Sequence, residues 1–510
     1  MRLGRPQPRK PGAASSAAVL PLAVLAILSL AQPAAAQPAP SDALLSARDE
    51  LAGKFALDLE ELAAWCDERG LTAEATLTRS RSAPRDARKL YLVDPPALPG
   101  PSALPVDAGE DAARWQERFH RLRQGYAEKL FDVARDAVRA KRTSLAVELL
   151  LAAGLEDPDH EAVRRLFGQE LHRGEWRSDF EVRQQKRDIV WHDAYGWLPQ
   201  DHVQRYENGE RFSAGRWMSV EQDARLHADI TNGWKVSTEH FTVTTNGGLE
   251  AGVRLAARLE GLHRAWRQAF ARYFASEAEV SRFILGRGAL GPPAGGRHEV
   301  VYFKNREEYQ KQLRGSVPAD FVTQGIYLPD QRTAYFYAAD GGDEPGDEGT
   351  LYHEATHQLF SECRAARRRA DAAIGEQANV WIIEGIACYM ESLRREDGCF
   401  TVGGADAVRF RDARFRLLED GFYLPLVELA ALGKRQLQRH EQIGMLYSQA
   451  SGVTHFLMHY EQGRYRDALM GYLEAVYDGR DAADTLSLLT GQSYPLLDRQ
   501  YREFLEANAE

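Results

Sequence analysis

His353-Glu354-Ala355-Thr356-His357 lies inside the helix-compatible run 351–360 and decides how the rest of the chain is read. A helix turns about 100° per residue, so residues four apart stand one turn above each other on one face. His353 and His357 thus offer two imidazole nitrogens to a single ion, the pattern expected of a Zn²⁺ site. Glu354 projects beside them, where a carboxylate can act as general base toward water. Two histidines do not complete such a site. Catalytic zinc takes three protein ligands and keeps one position open.

The third ligand is sought downstream. One solution places glycine three residues and histidine six residues after the second histidine, but those positions hold Phe360 and Cys363. The other solution is a glutamate on a second helix. Val380-Trp381-Ile382-Ile383-Glu384-Gly385-Ile386-Ala387-Cys388-Tyr389-Met390-Glu391 is an apolar run interrupted by Glu384, 27 residues after His357. A charge in such a run is costly unless it is paired or bound to an ion, so Glu384 is the expected third ligand. Gly385 beside it lets another backbone approach closely. Glu391 falls on the same face seven residues on, either as a partner of a ligand histidine or as a solvated carboxylate.

The pair of motifs, HEATH followed by WIIEGIACYMES, resembles the gluzincin, or peptidase MA-like, group of zinc metallopeptidases. More narrowly, the region from Trp234 to about Tyr501 is similar to a family of uncharacterised exported bacterial proteins with a peptidase-like domain. The resemblance implies an α+β fold in which a small sheet leads into the H-E-x-x-H helix and a Glu-bearing helix. It implies one zinc held by His353, His357 and Glu384, Glu354 as base, and a protein or peptide substrate. It also implies a strand beside the cleft that binds substrate backbone, for which 333–338 is the candidate, and an oxyanion donor on a later helix. The helical run 441–460 offers Tyr447 and His455 as donors, eight residues and about 80° apart, with Ser451 and Thr454 on the same side. One position departs from the pattern: four residues after Glu384, where such enzymes often carry an acid, stands Cys388.

With 44% hydrophobic and 27% charged residues over 510 positions, the chain should fold into two or three packed domains. Residues 1–36 read as a secretory signal peptide: Arg2, Arg5, Arg9 and Lys10 precede a short apolar run, and Ala34-Ala35-Ala36 offers a cleavage site. Export to the periplasm, cell envelope or medium follows, with no stable membrane span after cleavage. The net charge of −10 becomes about −14 without the leader's four basic residues, since 74 acidic then face 60 basic residues. Such a chain does not suggest nucleic acid as a partner. Arg364, Arg367, Arg368 and Arg369 read as a solvated helical face. Of the four cysteines, Cys363 and Cys399 flank the motif region and are candidates for a bridge, while Cys388 reads as a small buried side chain.

Residues 37–110 read as an N-terminal helix over 42–66 and a Pro-rich linker over 94–105. Residues 111–233 read as helices at 126–138, 144–152 and 160–171, tetratricopeptide-like, followed by a region rich in tryptophan. These helices also offer a surface for a protein partner. Arg173-Gly174-Glu175-Trp176 and Ala214-Gly215-Arg216-Trp217 look like two copies of one motif 41 residues apart, their indoles packing in a core or stacking on sugar rings. Residues 234–510 read as the catalytic domain, with strands at 241–245 and 298–303, a helix at 248–274 and a hairpin at 325–337. An acidic loop at 340–349 leads into the motif helix, and helices follow at 405–419, 441–460, 463–477, 481–489 and 494–507. Three functions fit: an exported zinc metallopeptidase, a catalytically silent cell-envelope binding or scaffold protein that uses its helical repeats, and a metal-dependent hydrolase of another bond.

Overall fold

Five strands build the sheet that carries the site, in the order Gly325–Leu328, Thr333–Tyr337, His298–Phe303, Phe241–Thr245, Trp234–Ser237. The three inner strands run parallel, and each outer strand pairs antiparallel with its neighbour. Alternation in Phe241-Thr242-Val243 buries every second side chain, as a strand with one face on the core requires. The strand Thr333–Tyr337 is paired along both sides. It therefore has no free edge for a substrate, and the expectation for 333–338 is corrected. Among the described residues the outer strand on that side is Gly325–Leu328.

The computed structural model describes residues 40–95, 109–291, 296–316, 323–338, 348–365, 374–396 and 398–508. The leader at 1–36, most of the Pro-rich segment, most of the acidic loop and Arg367–Arg369 lie outside the described residues. The fold is mixed α+β, with small sheets among many helices. No described helix is long and apolar enough to cross a membrane.

Two helices, Leu249–Ala269 and Glu348–Cys363, pack on the sheet and on each other. The helix Val380–Met390 is apolar nearly all round, so it must be covered on all sides. It lies between Glu348–Cys363 and the long helix Ile443–His459. Gly385 makes the second contact close: a Cβ there would stand 2.6 Å from Thr454 Oγ1 and 2.7 Å from the Ala450 carbonyl. Thr454 turns its hydroxyl back onto that same carbonyl, at 2.9 Å. The polarity read from 451–455 thus serves a tight helix crossing.

Residues before 234 share this core. Gln268 clamps both backbone groups of Val93, at 2.7 and 2.9 Å, and Arg466 pairs with Glu148. The helices expected at 126–138 and 144–152 are Glu110–Arg139 and Thr143–Glu156, packed side by side. The helix expected at 160–171 stops at Leu166, because Gly168 adopts φ +67° and turns the chain into the strand Gln169–His172. That strand opens a series of three hairpins, each followed by a short helix, paired as 169–172/175–178, 189–192/196–199 and 210–213/216–219. The two Trp motifs are the outer members of this series. Trp176, Trp197 and Trp217 occupy the second strand of each hairpin. Their rings are already engaged: Trp197 edges onto Trp191, Arg205 lies 3.7 Å over Trp217, and Trp176 donates to Asp159.

Two further expectations are overturned. Arg364 is no solvated residue but is buried, gripping Asp478 at 2.6 and 2.8 Å and the Tyr273 carbonyl at 2.7 Å. Cys399 gives its thiol proton to the Glu396 carbonyl at 3.2 Å, so the bridge to Cys363 is not formed.

Candidate metal centre

The helix Glu348–Cys363 presents His353 and His357 one turn apart, and Val380–Met390 presents Glu384 toward them. The two Nε2 atoms lie 3.1 Å apart. Glu384 Oε2 lies 3.4 Å from His353 Nε2 and 3.6 Å from His357 Nε2. Atoms bound at zinc-like distances around one tetrahedral ion stand roughly 3.3–3.6 Å apart. The three side chains can therefore hold a metal ion with almost no rearrangement.

Glu384 is placed by the start of its helix. Asn379 takes the left-handed conformation at φ +56° and directs its backbone N–H to the Ala430 carbonyl at 2.8 Å. Its side-chain amide donates to Asp481 at 2.7 Å and to the Ala482 carbonyl at 2.9 Å, and accepts from the Tyr472 hydroxyl at 2.6 Å. Burial works against a charge on Glu384, but the charge of His357 and hydrogen bonds from both histidines hold it well below the usual carboxylate range.

Behind His353, Nδ1 meets Glu391 Oε1 at 2.9 Å, and Arg409 grips Glu391 at 3.0 Å. Glu391 is thus the partner of a ligand histidine. It sits at the helix C-cap and supplies the carboxylate that Cys388 does not. Burial works against its charge, and the hydrogen bonds from His353 and Arg409 outweigh it, keeping the carboxylate low. The Cys388 thiol is buried, 3.9 Å from the same Nδ1, and burial pushes it up. Burial opposes a charge on His353, but Cys388, Glu384 and Glu391 outweigh it and push the ring up.

Glu354 is no member of the donor set. Its Oε2 accepts the backbone N–H of Tyr327 at 2.8 Å, so the outer edge of Gly325–Leu328 faces it. Burial raises its carboxyl above the ordinary range, against the pull of His353 and His357. Tyr447 is half-buried beside Glu384, and burial and the Glu384 charge both push its phenol well up. It stays protonated and remains a donor. His455 is not brought to the centre. It packs between Tyr389 and Phe410, its Nδ1 on the Ser451 carbonyl at 2.9 Å, and burial pushes it down to about 4.

Three contributors escaped the sequence. Tyr327 acts through its backbone, which has no residue signature. Arg409 has only its position beside an apolar residue. Tyr477 is buried against Phe360, its hydroxyl without a hydrogen-bond partner among the described residues. Burial, then the charge of Glu384, raises it.

The sequence model of a family described as "Protein of unknown function (DUF1570)" matches residues 347–478. That span holds both site helices, Tyr447, His455 and Tyr477. No curated protein matches the chain.

Proposed function

We propose that this chain is an exported zinc-dependent peptidase of gluzincin type that hydrolyses protein or peptide bonds. The observation that carries the reading is the convergence of His353, His357 and Glu384 beside a half-buried Glu354 that is not one of the converging donors. Two imidazoles and one carboxylate suit Zn²⁺, with a fourth position open. Zinc held there supplies Lewis acidity toward a carbonyl and toward water.

The chain's own residues do the rest. Glu354 takes a proton from the attacking water and later delivers it to the leaving amine, and its raised proton affinity suits both tasks. The Tyr327 N–H on Oε2 fixes the carboxylate and leaves Oε1 for the proton. An extended peptide lies along the outer edge of Gly325–Leu328, beside Glu354, and competes there with Thr323 for the Gly325 backbone groups. Tyr447 donates to the developing oxyanion. The leader-like residues 1–36 support export.

The test is a peptide-library digest with the purified chain and its Glu354→Gln variant, with metal content measured on both. Cleavage by the wild type, lost in the variant at equal zinc content, is expected. Equal turnover in the two sinks the mechanism. Zinc without cleavage of any peptide moves the weight to the scaffold reading.

A further inference from the structure

A second grouping of metal-binding side chains lies apart from this centre. Glu260 and His263 stand three residues apart on the helix Leu249–Ala269, and so on one face. His240 comes from the turn between the strands Trp234–Ser237 and Phe241–Thr245. One donor atom from each of the three lies within 4.8 Å of the others. Glu260 holds His240 twice: the backbone N–H donates to Oε1 at 2.7 Å, and Nδ1 meets Oε2 at 2.8 Å. The His240 ring stacks on His263 with centroids 3.8 Å apart. His263 is buried, and burial together with nearby His240, Arg267 and His298 keeps its ring neutral. A neutral imidazole presents a lone pair, which is what a metal requires.

We infer that His240, Glu260 and His263 form a second metal site, one that takes Zn²⁺ or a similar divalent transition ion. Two nitrogens and one oxygen are the donors such ions share, with water completing the set. An ion at His240 Nδ1 leaves the ring's proton on Nε2, and Nδ1 and the Glu260 oxygen open from 2.8 Å to roughly the 3.3–3.6 Å a tetrahedral ion needs. His240, on a turn and 29% exposed, can make that move and swing its ring off His263, whose centroid at 3.8 Å is nearer than two imidazoles on one tetrahedral ion stand; Glu260 and His263 stay fixed on their helix. The ion clips the turn between two sheet strands to the helix packed on them. It also lies one residue contact from the motif helix. The backbone N–H of His298 donates to the His240 carbonyl at 2.8 Å, and the His298 ring meets Glu362 at 3.1 Å.

The experiment counts ions on the full chain. Chelator-stripped protein is titrated with Co²⁺, and bound ions per chain are read by native mass spectrometry. Wild type should hold two ions, His353→Ala/His357→Ala one, Glu260→Gln one, and the triple variant none. If Glu260→Gln fails to fold by circular dichroism, His240→Ala removes a donor from a partly exposed position and replaces it. One ion in wild type, lost in His353→Ala/His357→Ala and untouched by Glu260→Gln, overturns the second site and leaves the peptidase reading standing. So does a Glu260→Gln chain that still holds two. One ion that survives His353→Ala/His357→Ala but not Glu260→Gln supports the second site and removes the first.

Discussion

Two clusters in this molecule use the same side chains, two histidines and one glutamate, and they are built differently. In the first, a histidine pair four residues apart meets a distant glutamate, and the outer nitrogen of His353 is held by Glu391, itself held by Arg409. Its donors stand 3.1–3.6 Å apart, with room for an ion between them. In the second, a glutamate and a histidine three apart meet a distant histidine, and His240 and Glu260 have closed on each other at 2.8 Å. His263 is packed from outside that trio by the rings of Phe241, Trp266 and His298. Donor identity is therefore the lesser part of a metal site. The larger part is what grips each donor from behind and keeps it apart from its neighbours. The first cluster should bind far more tightly, and a spare carboxylate, Glu354, stands beside it with the Tyr327 N–H on one oxygen.

The largest expected effect tests that spare carboxylate. Glu354→Gln should lower kcat by about three orders of magnitude or more while both clusters keep their ions, read from turnover and metal content together. A variant that loses metal would put Glu354 among the ligands and erase the contrast. Next, Tyr447→Phe should lower kcat by roughly two to three orders of magnitude with zinc in place. His455→Gln should leave kcat within about twofold, and a large loss there would reverse the roles given to these two residues.

His455 also serves as a histidine with no carboxylate behind it. Its folded pKa lies near 4, below the unfolded value of about 6.5, so the unfolded chain binds more protons as pH falls. Its stabilising share is complete above about pH 6.5 and is lost as pH drops toward 4, by about 3 kcal/mol at most. Urea unfolding at pH 7 and pH 4.5 should show a smaller difference for His455→Gln than for wild type; an unchanged difference would break the assignment. The smallest effect probes the outer grip. Arg409→Gln or Glu391→Gln should weaken the first ion about 10- to 100-fold in chelator competition and leave the second unchanged. Equal weakening of both ions would mean that the variants act through general loosening.

Legibility followed contact range. His353, Glu354 and His357 are fixed by spacing within one helix, and Glu384 by the cost of a lone charge in an apolar run. Gly385 announced the close helix approach that Thr454 and Ala450 make. Arg364 was misread because its neighbours are arginines, while its partner Asp478 lies 114 residues away. The hairpin 325–337 was visible from alternation, but alternation does not say which strand stays unpaired. Two Trp motifs were visible because Gly174 and Gly215 follow similar left-handed residues at tight turns. The middle copy, turning through Asp193-Ala194-Tyr195-Gly196, hid between them.

Asn379 ties the start of the Glu384 helix to residues 93, 102 and 103 positions later. A chain made from its N-terminus thus acquires its ligands in a set order. Both histidines can fold onto their helix early, yet the carboxylate is aimed only after Tyr472, Asp481 and Ala482 have arrived. On the zinc reading proposed above, ion capture is then a late event in the making of the chain. Nascent chains stalled before Tyr472 should hold zinc at least about tenfold more weakly than chains released whole, as expected when one of three ligands is loosely placed.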